Sequence, residues 1–163
     1  MANHPVKAHR SEAGSVSLDG EGSTFGSMRA AQSSAPEASA LVNGSARTVL
    51  VVDDDPGILD VLEQALDAEG YRVVMANNGR EALAQAAADQ PDIMLVDLMM
   101  PIMDGWQFVR ECRGIEHCAG TPVIILSAAR NVEQAARDLG VQAVVSKPFD
   151  LDNLLDLIAS HTS

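Results

Sequence analysis

Four apolar runs in this chain end on residues that could do chemistry. Val49-Leu50-Val51-Val52 leads into Asp53-Asp54-Asp55, and Ile93-Met94-Leu95-Val96 leads into Asp97. Val123-Ile124-Ile125-Leu126 stops at Ser127, and Val141-Gln142-Ala143-Val144-Val145-Ser146 stops at Lys147-Pro148. A buried parallel strand delivers one side chain to a site at its carboxyl end in this way. Clustered carboxylates repel one another, so one must be protonated or a cation must sit among them. Hard oxygen ligands in a partly open site favour magnesium, which keeps several waters and accepts one or two carboxylates. Such a site attracts a phosphoryl group, and one carboxylate can attack its phosphorus to become an aspartyl phosphate. The charge on the transferring group spreads over three oxygens, and a cation, an ammonium and a hydroxyl can each take one. Lys147 and Ser127 stand at the strand ends where those contacts are needed.

Each residue also has a plainer reading. Asp55 precedes Pro56, an N-cap followed by proline at the first helical position, so we assign it to capping. Ser often terminates strands, and Lys147 could be a solvated loop residue. Asp97 has no capping duty at the end of a wholly apolar strand, which favours function. The joint pattern is far more specific than any of its members.

The elements that must position these residues follow from periodicity. Thr48–Asp53, Tyr71–Ala76, Asp92–Asp97, Pro122–Ser127 and Val141–Ser146 read as strands. Between them, Ile58, Leu62, Ala65 and Leu66 recur at helical spacing up to Gly70, and Ala82, Leu83, Ala86 and Ala87 line a second helix opened by Asn78-Gly79. Met103–Arg113 reads as a third helix. Val132, Ala135, Ala136 and Leu139 form the stripe of a fourth, and Asp150 caps a fifth whose Leu151, Leu154, Leu155 and Ile158 face inward. Five strands alternating with five helices imply an α/β fold, a parallel sheet covered on both faces. Right-handed crossovers leave few windings, and the flavodoxin-like order 2-1-3-4-5 is one of the two common doubly wound solutions. In that order the first and third strands are neighbours, and Asp53, Asp54 and Asp97 meet at the crevice between them.

Bulk properties narrow the function classes. The chain has 163 residues, of which 47% are apolar, enough for one domain with a real core. From Arg47 onward eight basic residues face nineteen acidic ones within a total formal charge of −12, so nucleic acid and anionic lipid are repelled as direct partners. There is neither a membrane-length apolar run nor a secretory signal, so a cytoplasmic location is expected. Residues 1–46, rich in Ser, Ala and Gly, read as a disordered tail, with 47–163 as the folded domain. Cys112, His117 and Cys118 match no zinc spacing, and the two cysteines read as reduced thiols in the cytosol.

The segments Val49 to Asp55, Leu95-Val96-Asp97-Leu98-Met99-Met100-Pro101-Ile102-Met103-Asp104-Gly105, Ile124-Ile125-Leu126-Ser127-Ala128 and Val145-Ser146-Lys147-Pro148-Phe149 resemble the receiver domain of two-component response regulators. The resemblance runs from residue 47 to about 160. It implies that Asp97 is the phosphoacceptor. Magnesium would be held by Asp54, Asp97 and the Met99 carbonyl, with Asp53 acting on the metal or on a water bound to it. Ser127 and Lys147 would contact the phosphoryl group, and the Lys147–Pro148 bond would be cis. The donor would be a histidine kinase or a histidine phosphotransfer protein. The output would be a face of the fourth helix, fifth strand and last helix, read by a protein partner or used in phosphorylation-dependent dimerisation, or else the phosphoryl group would be relayed to a histidine on another protein. The family usually places an aromatic residue where Val144 stands, so a shift of the fourth helix is expected instead of an aromatic flip. The positions that tune hydrolytic water are Met99 and Ala129, both apolar, so slow autodephosphorylation is expected. The reading is of a stand-alone phosphoacceptor, not a turnover enzyme. A dehalogenase-type phosphohydrolase would want an Asp where Met99 stands, and a dinucleotide-binding module would want a glycine-rich loop where Asp53-Asp54-Asp55 stands. A pseudo-receiver is disfavoured by the complete set of acids, serine and lysine.

Overall fold

The computed structural model describes residues 44–163; residues 1–43 of the expected tail lie outside the described residues. Five parallel strands, β1 (Thr48–Val52), β2 (Arg72–Ala76), β3 (Ile93–Asp97), β4 (Val123–Ser127) and β5 (Ala143–Ser146), form one sheet in the order β2-β1-β3-β4-β5. The helices are α1 (Pro56–Ala68), α2 (Gly79–Asp89), α3 (Gly105–Arg113), α4 (Glu116–Ala119), α5 (Glu133–Asp138) and α6 (Leu151–Thr162). The fold class is the one expected, with one short helix added. That extra turn, α4, lies in the connection from α3 to β4 and contains His117 and Cys118. The expected fourth and fifth helices are therefore α5 and α6.

Alternation along the strands divides the core between the two faces of the sheet. Val49, Val51, Ile93, Leu95, Ile124 and Leu126 pack against α1 and α6 through Leu59, Leu62, Leu66, Leu154 and Ile158. Leu50, Val52, Met94, Val96, Val123 and Ile125 point the other way, toward Ala82 and Ala86 of α2 and Phe108, Val109 and Cys112 of α3. Successive strand side chains point to opposite faces, so a strand covered on both sides must be apolar throughout. The central strands β1, β3 and β4 are buried at every position, whereas the edge strands β2 and β5 are only partly covered.

The helix starts follow their caps. Asp55, Asn78, Asp104 and Asp150 each accept a hydrogen bond from a backbone N–H in the first turn of α1, α2, α3 and α6. Asp104 sits in extended backbone as the α3 cap, so α3 begins at Gly105 and not at the expected Met103.

The two cysteines meet in the fold, which the sequence reading did not anticipate. Cys112 ends the buried stripe of α3, Cys118 lies in α4, and the turn at Gly114 folds one back onto the other. Their Cα atoms are 5.3 Å apart, within the range a disulfide spans. Both residues are buried in the same core, and this packing is invisible to an argument from compartment alone. Arg113, next to Cys112, donates to four backbone carbonyls: Ala119 at 2.7 Å, Thr121 at 2.9 Å, Gly140 at 3.0 Å and Leu139 at 3.2 Å. It thereby ties the end of α3 to the chain after α4 and to the turn that follows α5. Among the described residues no helix is long and apolar enough to cross a membrane.

Candidate phosphoacceptor site

The site lies at the carboxyl end of the sheet, where the chain leaves β1 toward one face and β3 toward the other. Val52 pairs in register with Val96, so the next residues, Asp53 and Asp97, emerge side by side. Asp53, Asp54 and Asp97 each present a carboxylate oxygen, and these oxygens lie within 4.8 Å of one another. Asp53 is fully buried and Asp97 is 4% exposed, whereas Asp54 faces solvent.

Each buried acid is held by the backbone around it. Asp53 donates its N–H to the Ala76 carbonyl at 3.1 Å, and its carboxylate accepts from the Asp55 N–H at 2.9 Å. Asp55 in turn caps α1 by accepting from the Gly57 N–H at 2.8 Å. The assigned capping role of Asp55 is observed, with a second duty as a backbone donor to Asp53. Asp97 accepts from the backbone N–H of Met99. The Gly105 N–H donates to the Leu98 carbonyl at 3.1 Å. Any Cβ at Gly105 would run into the Asp97 carbonyl oxygen, so only glycine lets α3 begin this close to β3.

Lys147 comes from the far side of the sheet. The Lys147 N–H donates to the Ser127 carbonyl at 2.8 Å, which seats the loop after β5 on the end of β4. The Lys147–Pro148 peptide bond is cis, as the resemblance implied. The ammonium then reaches back across the sheet, 2.7 Å from Asp53 Oδ2 and 3.2 Å from Asp97 Oδ1. Burial alone pulls the acidity of this ammonium the other way. The hydrogen bond and charge of Asp53, and then those of Asp97, outweigh it and leave the Lys147 pKa raised. Asp97 is also raised, chiefly by burial and then by the charge of Asp53, against the lowering pull of Lys147 and the Met99 N–H. One ammonium is thus shared by two buried carboxylates beside a third, and negative charge is left over.

Ser127 is 1% exposed, and Asp97 pairs with its neighbour Leu126 across the sheet. Its oxygen accepts from the Ala129 N–H at 2.9 Å, which leaves the single hydroxyl proton free to be donated. Met99 is 71% exposed on the loop after β3, beside Asp97 in the chain. All the residues singled out in the sequence therefore lie on the same rim: Asp53, Asp54, Asp97 and Lys147 by direct proximity, Ser127 and Met99 by chain adjacency to it. Sequence reasoning missed the glycines that permit close approach; the Asp-Gly at 104–105 was read only as a turn.

The donor set fits a small divalent cation. Hard carboxylate oxygens, two of them buried and one open to water, with net negative charge left over, match what magnesium takes: few protein oxygens and several waters.

An open α/β sheet with an acid cluster and a lysine at its topological switch point places the chain in the doubly wound class, where ligands bind at that crevice. The sequence comparison makes this specific: the family model of the response regulator receiver domain matches residues 49–159, and the chain belongs to that family. It is 38% identical over 109 residues to the response regulator MprA of Mycobacterium tuberculosis, covering 66% of this chain and 46% of that one. It is 42% identical over 108 residues to the regulatory protein AtoC of Escherichia coli, covering 65% of this chain and 23% of that one. The chain therefore spans less than half the length of these curated relatives. Among solved structures it is similar to the chemotaxis response regulator CheY4 of Vibrio cholerae, with TM-score 0.68 and 32% identity, covering 72% of this chain and 99% of that one. It is also similar to the receiver domain of the sensor histidine kinase PA1611 of Pseudomonas aeruginosa, solved with a magnesium ion in its active-site cleft. That match has TM-score 0.66 and 28% identity, and covers 72% of this chain and 98% of the other.

Proposed function

We propose that this chain accepts a phosphoryl group on Asp97 from a phosphohistidine of a histidine kinase or phosphotransfer protein, and signals through the face formed by α5, β5 and α6. The observation that carries the reading is the sharing of Lys147 between Asp53 and Asp97, at 2.7 and 3.2 Å, beside the open carboxylate of Asp54. In the transfer, a carboxylate oxygen of Asp97 forms the new bond to phosphorus. The phosphorus–nitrogen bond breaks, and its electron pair leaves with the imidazole, which regains a proton from water. Asp54, Asp97 and the Met99 carbonyl would hold magnesium, with Asp53 acting on the metal or on a water bound to it; when bound, the ion would supply positive charge to the phosphoryl oxygens.

This chain's own groups do the rest. Lys147 pairs with the phosphoryl oxygens once Asp97 has lost its free charge to the acyl-phosphate bond. Ser127 donates its free hydroxyl proton to the same group. That draws the end of β4 and the following residues toward Asp97, and the segment leads directly into α5. Val144 packs partly buried against the α2–α3 core, and a β-branched side chain there cannot swing out as an aromatic ring can. The signal then travels as a displacement of α5.

The protein acts in this reading as a phosphoacceptor in the cytoplasm and not as a turnover enzyme. Neither Met99 nor Ala129 carries a side-chain hydrogen-bonding group to orient attacking water, so the aspartyl phosphate should last well beyond seconds. The decisive experiment is incubation with magnesium and acetyl phosphate followed by intact-mass measurement. A single phosphate-sized mass gain, absent in Asp97→Asn, supports the reading; no gain, or an unchanged gain in the variant, overturns it.

A further inference from the structure

The loop from Leu98 to Asp104 carries both Met99 and the backbone that leads out of Asp97, and it is under strain. Ile102 has φ 71° and is 76% exposed. A β-branched residue in the left-handed region is a true outlier, and a side chain this exposed gains little from burial to offset it. The residue that follows is the opposite case. Met103 is 3% exposed and belongs to the α2–α3 core. Its carbonyl accepts from the N–H of Gly79, the first residue of α2, at 3.3 Å. A Cβ placed on Gly79 would lie 2.6 Å from Met103 Cγ and 2.9 Å from both its carbonyl oxygen and its sulfur. Those distances are too short for real contacts, and one partner is backbone. Gly79 has no positive φ to explain it, since φ is unusual only at Gly70 and Gly140 among the described glycines. Its role is therefore close approach: it lets Met103 lie flat on the first turn of α2.

We infer that Gly79 and Met103 form a clasp that sets the height of the loop after β3, and that Gly79 is a positioning residue for the phosphoacceptor site. The inference rests on the function proposed above. The loop is pinned at its far end by Gly105 against the Asp97 carbonyl and at its middle by Met103 against Gly79, with strained Ile102 between the pins. Adding one methyl group to Gly79 must lift Met103. The lift passes through a short, strained segment to Met99, whose N–H holds the Asp97 carboxylate and whose carbonyl is the third protein ligand in the proposed site. Outer groups that orient ligands typically change metal affinity by about tenfold or more when altered.

The test is a magnesium titration read by the fluorescence of Trp106, the one tryptophan of the chain, which lies in the first turn of α3 beside this loop. The readout is independent of phosphorylation. Gly79→Ala should weaken magnesium binding about tenfold and slow phosphate gain from acetyl phosphate, while its far-ultraviolet circular dichroism stays that of the parent. Ile158→Val, which thins the core on the opposite face of the sheet, should lower the melting temperature and leave the magnesium affinity alone. That contrast separates positioning from general loss of stability. Where Gly79→Ala does not fold, Met103→Leu reports the same contact, because it keeps the volume but branches beneath Gly79; it should weaken magnesium binding several-fold. Unchanged affinity in the folded Gly79 variant, or in Met103→Leu if that is the one that folds, overturns the clasp. An equal loss in Ile158→Val also overturns it. If the parent protein binds no magnesium and gains no phosphate, the proposed function fails and takes this inference with it; a normal parent beside an unaffected Gly79→Ala sinks the clasp alone.

Discussion

Lys147→Met removes the one ammonium from between two buried carboxylates while keeping most of the side-chain volume. At an effective dielectric of about 20, charges 2.7 and 3.2 Å apart attract by about 6 and 5 kcal/mol. Much of that is cancelled by taking the ammonium out of water, because its side chain is only 18% exposed. Removing one partner of a buried pair typically costs about 3–5 kcal/mol. Protonation limits the loss. An aspartate with an ordinary pKa of 3.8 can be neutralised at pH 7 for about 4 kcal/mol, and at pH 5 for about 1.6 kcal/mol, at 1.36 kcal/mol per unit. The variant without magnesium should therefore lose about 3–4 kcal/mol at pH 7 and less than about 2 kcal/mol at pH 5. The assay is urea unfolding in EDTA at both pH values, followed by the circular dichroism of the helices. Magnesium should bind more tightly to the variant than to the parent, since a competing positive charge is gone. A loss below about 1 kcal/mol at pH 7, or a loss that does not shrink toward pH 5, would refute the view of Lys147 as the shared counter-charge.

Other outcomes follow from the same geometry. Asp97 has a raised pKa in the fold, so between its unfolded value of 3.8 and its folded value the native state binds more protons and stability falls as pH rises. Asp97→Asn removes that dependence, so in EDTA it should be more stable than the parent at pH 7, with the advantage fading toward pH 4. Lys147 contributes in the opposite sense: its folded pKa is raised, so its stabilisation is complete below 10.5 and disappears as pH climbs through the folded value, which an alkaline unfolding series in EDTA would display. Magnesium at ten times its dissociation constant should stabilise the parent by about 1.4 kcal/mol if only the native state binds it. Asp54→Asn should sharply reduce that shift, and an undiminished shift would remove Asp54 from the ligand set. A Cys112–Cys118 bridge would close a small loop, with a sequence separation of 6, so where it forms its reduction by dithiothreitol should cost about 2 kcal/mol in the chain-entropy view. Thiol titration of freshly purified protein, before and after reduction, checks whether the bridge persists in the compartment where the protein is made.

Much of this protein could be read from the chain because the readable parts are local. The burial of every position of β1, β3 and β4 follows from unbroken apolar runs, since a strand covered on both faces has no polar side to show. The caps at Asp55, Asn78 and Asp150 follow from side-chain chemistry next to an apolar stripe. Asp97 was conspicuous because a carboxylate ending such a strand has no structural task. What the local pattern does not contain is which strand ends become neighbours, and that depends on how the crossovers wind. The pairing of Val52 with Val96 brings Asp53 to Asp97 across 44 positions, and the loop after β5 brings Lys147 to Asp53 across 94. Periodicity also carries no distances between side chains on different elements. The approach of Cys112 to Cys118, the seat of Arg113 among four carbonyls and the bare Cα of Gly79 beneath Met103 all arise from packing between elements. The residue types and the order of the elements belonged to the sequence. The proximities that turn three acids and a lysine into one site arose only when the sheet closed in the order β2-β1-β3-β4-β5, because electrostatic coupling depends on separation in space and not along the chain.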